Sequence, residues 1–506
     1  MISLLPVPKQ NQPLTGCFKV DSKRPVGVVL QPDGSAQDSL IAHSSWLRSF
    51  CQRDLFAKTK IEFEVTDATT AKVVLVAKPE IPVEGFELVV LPDRIEIASS
   101  GIDTVGWQYG MLILFQMLWD LKRQGGNELE CVAIADEPEF QWRGLHLDVC
   151  RHFFDVQFIK RLLDLMALHR LNRFHWHLTE DQGWRLDVPS LPKLAEISAW
   201  RQQDDQKYGG YYVRDDIEQI VQYSAERGIT VVPEIELPGH SVAALAAYPQ
   251  LACRPRDFAV ETQWGVFDDV YCAGNEATFE FLQQVMDYVI ELFPGDVIHI
   301  GGDECPKTRW EECPKCQARI QSENLRDADH LQSYFVERMV NYLADRGRRA
   351  IGWDEILEGG LAPGAMVMSW RGHEGGIAAA KMGHDVVMAP TNHCYFDYRQ
   401  ADDPQEMGFH GVNTLRDVFD FKPVPSELNA LEAKHVLGGQ ANIWTERQLY
   451  NPQNVEYMVV PRICALAEVL WGRPKSGAGD WADFQKRLRV HFELLKELGY
   501  QGRALD

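Results

Sequence analysis

The stretch Val297-Ile-His-Ile-Gly-Gly-Asp303-Glu304 runs apolar over strand length and then ends in two glycines and two consecutive carboxylates. A carboxylate is costly to bury without a partner, so two adjacent acids closing an apolar strand imply that something beyond the strand uses them. Three uses fit these residue types: a metal site, a structural ion pair, or a catalytic acid pair. A metal site would want further ligands at a recognised spacing, and His299 inside the strand and His240 elsewhere do not make one. Cleavage of a glycosidic bond does need such acids, one to protonate the leaving oxygen and another to manage the developing oxocarbenium charge.

Side chains for a sugar are also present. Trp353, Trp370 and Trp444 stand at or near the ends of strand-like runs, where a flat aromatic face suits the C–H side of a sugar ring. Trp176 lies inside its run, between His175 and His177, and is expected in the core. Arg151 offers a guanidinium fork for hydroxyls or carboxylates, although an ion pair with nearby Asp148 would be the plainer use of it.

The elements that must position these groups follow a repeating order. From about Trp142 onward, strand candidates occur at Leu145–Val149, Arg173–Leu178, Ile229–Ile235, Val297–Ile300, Arg349–Trp353, Met366–Trp370, Asp385–Met388 and Val436–Trp444. Helical periods fall between many of them, notably Val156–His169, Ala277–Leu292, His330–Ala344 and Met458–Leu470, with Asn275 a cap for the second. Eight strands alternating with helices predict an α/β (β/α)8 TIM barrel. An open doubly wound sheet would carry ligand-binding residues after only a few central strands. Here polar or aromatic residues end nearly every strand, which a closed barrel gathers at one mouth.

The residues before this repeat differ in texture. Lys60–Val65, Ala71–Val76, Phe86–Val90 and Arg94–Ile97 read as strands and Thr104–Trp119 as a helix, giving a small α+β accessory domain over residues 1–137 and the barrel over 138–506.

The 506-residue chain is 45% hydrophobic and 25% charged, ordinary globular usage, and its net charge of −22 disfavours nucleic acid and anionic membranes as partners. A neutral sugar remains compatible. The start has no basic segment followed by an apolar one, no apolar run is long enough to span a bilayer, and eleven cysteines form no compact framework; a cytoplasmic location is expected. Cys313-Pro-Lys-Cys316 has the CxxC spacing of a zinc half-site, with Cys305 nearby. Structural zinc takes four ligands, commonly two such pairs, and one pair is visible, so Cys394 or a histidine would have to complete the set in space. The expectation is packed thiols, with no metal and no cofactor.

Four motifs make the pattern specific: His175-Trp-His-Leu-Thr-Glu-Asp-Gln-Gly-Trp-Arg185, Pro233-Glu-Ile-Glu-Leu-Pro-Gly-His240, His299-Ile-Gly-Gly-Asp303-Glu304 and Gly352-Trp-Asp-Glu355. In this order they resemble the family 20 glycoside hydrolases, the β-N-acetylhexosaminidases, over most of the chain. The resemblance implies substrate-assisted retention, in which the 2-acetamido oxygen of the sugar attacks its own anomeric carbon and an oxazolinium intermediate forms. Glu304 is then the general acid and later the base, and Asp303 orients the acetamido N–H and stabilises its positive charge. Adjacent side chains on a strand diverge, which would let the two acids serve different atoms.

The same resemblance implies that the Tyr395 hydroxyl binds the acetamido carbonyl, that Asp397 and Glu446 bind sugar hydroxyls, and that Arg151 grips the 3- and 4-hydroxyls. It also makes Trp353, Trp370 and Trp444 the pocket walls and Glu180 and His240 a hydrogen-bonded support that tunes the acid. A raised pKa would suit that acid, with burial behind the tryptophans supplying part of it. Two departures stand out: Glu180 occupies a position where the family often has Asp, and a loop tryptophan of some members has no counterpart between Asp402 and Val418, leaving Phe409 or His410 to complete the pocket.

The expected activity is exo-acting removal of terminal β-linked GlcNAc or GalNAc from a small carbohydrate or glycoconjugate, by a monomer or homodimer. A relative that releases a disaccharide or takes a sulfated sugar is the nearest alternative, although Asp397 would repel sulfate. A non-catalytic sugar-binding barrel is the other, and it would have no use for Asp303, Glu304 and Tyr395 together.

Overall fold

The computed structural model describes residues 3–21, 24–31, 45–67, 69–474 and 479–505. An N-terminal sheet is formed by seven strands, β1 (Gln10–Lys19), β2 (Val26–Leu30), β3 (Phe63–Val65), β4 (Val73–Ala77), β5 (Phe86–Val90), β6 (Ile95–Ser99) and β7 (Glu128–Asp136), in the order β1-β7-β5-β6-β4-β2-β3. The helix Val105–Arg123 lies on it and buries a nearly continuous apolar surface. The strands read from sequence and this helix are present. β1, β2 and β7 were not anticipated. β1 is a polar edge strand, exposed along most of its length, and its pairing with β7 shifts register between Pro13 and Cys17. Proline and a register break suit an edge that must not pair further, and they also erase the apolar alternation by which a strand is recognised.

The barrel closes as β8 (Trp142–Asp148), β9 (Arg173–His177), β10 (Thr230–Leu237), β11 (Val297–Gly301), β12 (Arg349–Trp353), β13 (Met366–Ser369), β14 (Val386–Met388) and β15 (Val436–Ala441), all parallel, with β15 returning to β8. Each contains or overlaps the corresponding sequence-predicted run. Helix N-termini are fixed by side chains: Asp155 accepts from Phe158 N, Asn275 from Ala277 N and Asp327 from His330 N. One helical expectation is corrected. Met458–Leu470 is not continuous but divides into Pro452–Val459 and Arg462–Trp471, because Pro461 has no N–H to donate and disfavours a helical Val460.

The sheet domain and the barrel share a buried ionic contact. Arg143 on β8 is fully buried and its guanidinium meets both oxygens of Glu84 at 3.0 and 3.1 Å and the Tyr109 hydroxyl at 3.0 Å. Asp136, the last residue of β7, accepts from Arg170 at 3.1 Å, from Trp471 Nε1 at 2.8 Å and from Lys9 N at 3.1 Å. Both side chains of the Asp136–Arg170 pair are 0% exposed. Removing one member leaves an uncompensated buried charge. Asp136→Ala should therefore lose about 3–5 kcal/mol of stability, measured by urea or thermal unfolding, and a loss below about 1 kcal/mol would show the pair to be dispensable.

Candidate active site

The turn after β11 sets the geometry of the two acids. Gly301 and Gly302 have φ of 64° and 96°, and Glu304 itself has φ of 43°. A side chain at Gly301 would overlap the Glu236 carboxylate, and one at Gly302 would meet Ile356. The glycines are thus needed for both conformation and close approach. Asp303 and Glu304 diverge because a left-handed turn separates them, and not, as expected, because they alternate on a strand.

Their environments differ accordingly. The Asp303 side chain is 13% exposed and that of Glu304 is 43% exposed. Asp303 Oδ1 is buried with no hydrogen-bond partner among the described residues, while Oδ2 lies 3.5 Å from His240 Nε2. Burial pushes Asp303 up to about 6, and the His240 charge opposes the rise. The burial expected behind the tryptophans for Glu304 is found at Asp303 instead, since the turn carries Glu304 out towards the mouth.

His240 connects the pair to the barrel wall. Its Nε2 is 3.7 Å from Glu304 Oε2, and its Nδ1 lies 2.8 Å from Glu180 Oε1 and 3.3 Å from Asp181 Oδ2. Burial alone would keep the ring neutral, but the Glu180 and Asp303 carboxylates hold it well above the usual histidine range. The extra methylene of Glu180 does not break this support; its other oxygen meets Arg151 Nη2 at 3.0 Å and His177 Nε2 at 3.2 Å. Asp181, whose Oδ1 also accepts from Val242 N at 2.9 Å, shares the role and was missed from sequence.

Arg151 is held from several sides. Asp148, at the end of β8, accepts from Cys150 N, Arg151 N, Thr445 N and Thr445 Oγ1 at 2.8–3.1 Å, tying the loops after β8 and β15 together. Its contact with the Arg151 guanidinium is 3.4 Å, so the expected ion pair exists, but the fork also reaches Glu180, Gln182 at 3.1 Å and Glu446 at 3.7 Å. The guanidinium lies 5.2 Å above the Trp444 ring.

Trp353, Trp370, Tyr395 and Trp444 wall a cavity of about 470 Å3 whose lining also includes Arg151, Glu180, His240, Asp303, Glu304, Asp397 and Glu446. All the candidate site residues therefore converge on one space. Trp370 stacks with Tyr395 at 6.1 Å and 23°, and Trp353 and Trp444 approach to 5.8 Å at 45°. The segment carrying Tyr395 and Asp397 is pinned by Phe396 N to Asn442 O and Asn442 N to Cys394 O, each 2.8 Å. Buried Arg462 adds bonds to the carbonyls of Phe396, Tyr398 and Asn413. Asp397 is buried with Oδ1 unpartnered among the described residues, and burial and the Glu446 charge push it well above the carboxylate range. Phe409 and His410 do line the mouth, joined by Trp264 from the loop after β10, which sequence reasoning had not singled out. Trp176 is fully buried against Tyr212, as expected for a core residue.

The sequence pattern of the glycosyl hydrolase family 20 catalytic domain matches residues 140–474. The chain belongs to that family. It is 42% identical to a β-hexosaminidase of Porphyromonas gingivalis over 96% of this chain and 62% of that protein. A β-hexosaminidase of Akkermansia muciniphila is 32% identical over 86% of this chain and 90% of the relative. Among solved structures, an exo-β-N-acetylglucosaminidase from Vibrio harveyi in complex with N-acetylglucosamine superposes with a TM-score of 0.87 at 30% identity, covering 99% of this chain and 78% of that one.

Beneath the pocket this family 20 barrel has a polar interior layer that was not anticipated. Glu234 is fully buried and meets His175 Nε2 at 2.9 Å, His299 Nδ1 at 2.8 Å, Trp353 Nε1 at 2.8 Å and His177 Nδ1. Trp353 is thus oriented through its indole N–H. The signal was present as acids and histidines at alternate strand positions, 175 with 177 and 234 with 236, which place both side chains on one face. Glu355, quoted in a motif but assigned no role, accepts from Trp370 Nε1 at 2.9 Å. The residues expected to complete the CxxC pair also need correction. The second pair beside Cys313 and Cys316 is Cys253 and Cys272, and neither Cys305 nor Cys394 joins them. Eighteen residues separate Cys253 from Cys272, so no short spacing announced them.

Burial and the nearby Asp303 charge push Glu355 up to about 8, so at neutral pH its carboxyl is protonated. In the unfolded chain it titrates near the ordinary 4.5, so the native state binds the extra proton between 4.5 and about 8. This contribution is fully present below 4.5 and falls as pH rises through the window, by up to about 1.4 kcal/mol per pH unit. Glu355→Gln, which mimics the protonated form, should flatten that part of the stability–pH curve in denaturant titrations, whereas an unaltered slope would mean that Glu355 is ionised in the folded protein.

Proposed function

We propose that this chain is an exo-acting, retaining β-N-acetylhexosaminidase that removes terminal non-reducing β-linked GlcNAc or GalNAc by substrate-assisted catalysis. The observation that carries the reading is Asp303 Oδ1, a buried acceptor without a partner among the described residues, in a tryptophan-walled pocket that also holds Tyr395. A buried acceptor of this kind calls for a donor from the ligand, and the acetamido N–H is such a donor.

With the sugar in place, Tyr395 donates to the acetamido carbonyl oxygen and Asp303 accepts from the N–H, holding that oxygen beneath the anomeric carbon. Glu304 gives its proton to the glycosidic oxygen as the C–O bond breaks and the acetamido oxygen closes the oxazolinium ring. Asp303 stays anionic and balances the positive charge on nitrogen. Water then attacks the anomeric carbon from the face the leaving group vacated, Glu304 takes its proton, and the ring reopens with configuration retained. Arg151, Asp397 and Glu446 hold the ring hydroxyls. The 4-hydroxyl is met by the donors of the Arg151 guanidinium and the acceptors of the Glu446 carboxylate, a set that can serve either epimer.

The aglycone lies towards Glu304 and the rim formed by Trp264, Phe409, His410 and Arg447. The repulsion of sulfate expected from Asp397 is weakened, because burial and the Glu446 charge push that carboxyl well above the usual carboxylate range. A reducing, cytoplasmic setting is supported by the thiols, all eleven of which are unbonded. Among the described residues no helix is long and apolar enough to cross a membrane.

Hydrolysis of chromogenic β-GlcNAc and β-GalNAc substrates tests the reading, and a thiazoline that mimics the oxazolinium ring should inhibit both. Turnover indifferent to the thiazoline would rule out the acetamido nucleophile. Glu304→Ala should lower kcat by about 10²–10⁴-fold on poor leaving groups, less on activated ones, with partial rescue by azide. Asp303→Asn should depress turnover for every leaving group. Because Asp303 acts ionised and is pushed up to about 6, kcat/KM of the native protein should fall as pH drops through about 6. That limb should vanish in Asp303→Asn; its persistence would assign it to another group.

A further inference from the structure

Cys253, Cys272, Cys313 and Cys316 come together outside the sugar pocket, with all four sulfurs within 4.8 Å of one another. The separations are 3.7 Å for Cys253–Cys316, 3.7 Å for Cys272–Cys316 and 3.8 Å for Cys272–Cys313. Cys272 and Cys316 each approach two other sulfurs equally, which no disulfide arrangement explains, since a disulfide brings one pair to about 2.05 Å. Four sulfurs on a tetrahedron around zinc, with Zn–S of about 2.3 Å, stand about 3.8 Å apart along each edge. The observed contacts match that edge.

The backbone around the sulfurs is shaped for the same purpose. Cys313 is the N-cap of the helix Pro314–Ser322 and Cys316 lies in its first turn, where the helix dipole favours negative sulfur. Gly274 donates its N–H to Cys272. A side chain at Gly274 would overlap the Lys315 carbonyl and the Cys316 N, so this glycine lets the turn after Cys272 pack directly on the CxxC turn. Cys272, Cys313 and Cys316 are buried and Cys253 is half-buried, so the cluster is closed on one side and reachable from the other.

We propose that these four cysteines form a structural zinc site that fastens the loop after β10 to the chain that follows the catalytic turn. Binding is an exchange of charge with no redox step: one Zn2+ replaces the four thiol protons, four protons leave to solvent, and the zinc-tetrathiolate carries a net charge of −2. The site closes the base of the 253–272 loop, whose tip presents Trp264 and Val266 to the sugar cavity. On the other side it anchors a segment nine residues after Glu304. Asp269 reinforces the junction, pairing with Arg256 at 2.7 Å and Arg309 at 2.8 Å. The ligand set is saturated, so the metal has no open position and its role is to hold structure.

Elemental analysis of the intact protein, produced with zinc in the medium and purified without chelator, is the direct test. About one zinc per chain is expected, released as a mercurial thiol reagent is added, with thermal stability lost on release and regained on adding zinc to the re-reduced protein. Cobalt in place of zinc should give thiolate charge-transfer bands and the strong visible absorption of a tetrahedral site. Cys313→Ser/Cys316→Ser should abolish binding. Because that variant is liable to misfold, Cys253→His, which keeps four ligands at the half-buried position, should retain the metal and shift the cobalt spectrum. Four reduced thiols with negligible metal, a mass deficit showing disulfides, iron in place of zinc, or zinc that survives in a folded Cys253→Ser/Cys272→Ser variant would each overturn the proposal.

Discussion

The barrel interior depends on Glu180, a carboxylate 1% exposed that meets Arg151, His177 and His240 at once. Burial penalises its charge, yet Arg151 and His240 hold it well below the usual carboxylate range. Through it, Arg151, the polar layer under the pocket and the histidine beside Asp303 and Glu304 form one charge system. Each member is tolerated in the interior because its neighbours solvate it. Removing any one would leave the others with an unmatched charge, which is why a buried network of this kind fixes geometry more than it adds stability.

The same accounting separates charged acids from neutral ones. Glu180 and Glu234 have cationic or donor partners and are held ionised. Glu236 has no hydrogen-bond partner on either oxygen among the described residues; burial and the nearby Asp303 charge push it well above its ordinary range. Glu355 follows the same rule beside Asp303. Asp303 stands in a balance: Glu236 and Glu355 yield their ionisation beside it and the His240 charge supports its own, while burial and the Glu234, Glu304 and Glu180 charges oppose it. That balance leaves it able to act as an anion towards a ligand N–H.

Much of this was legible in the sequence, and the reasons are physical. Most barrel strands are short runs rich in apolar residues and ended by polar or aromatic ones, so existence and order of the strands could be read together. Asp303, Glu304 and the three pocket tryptophans could be read because they sit at or near where those runs stop, whereas Tyr395 and Asp397 followed only from the family resemblance. What escaped were features without a local signature. β1 hides its strand character behind polar edge residues, Trp264 reaches the pocket from a loop whose path no periodicity encodes, and the kink at Pro461 was overridden by the apolar pattern on both sides. The interior histidines and acids were a different failure, since their alternation was visible but a charged residue facing a barrel centre runs against the usual expectation for strands.

The cysteines show the limit most clearly. A CxxC pair is readable because both ligands lie on one helical turn, whereas Cys253 and Cys272 are brought to it by the closure of a loop that only the fold of β10 and β11 determines. The entropy of closing that loop has to be offset by something at its base. Ion pairs at Asp269 are partly exposed and contribute modestly. A four-thiolate metal site would fix both loop ends against a rigid helix turn, and the pocket wall at Trp264 would then owe its position to chemistry remote from the sugar. The active site would in that case rest on two unlike frames, a buried charge network within the barrel and a cross-link outside it, meeting on either side of Asp303 and Glu304.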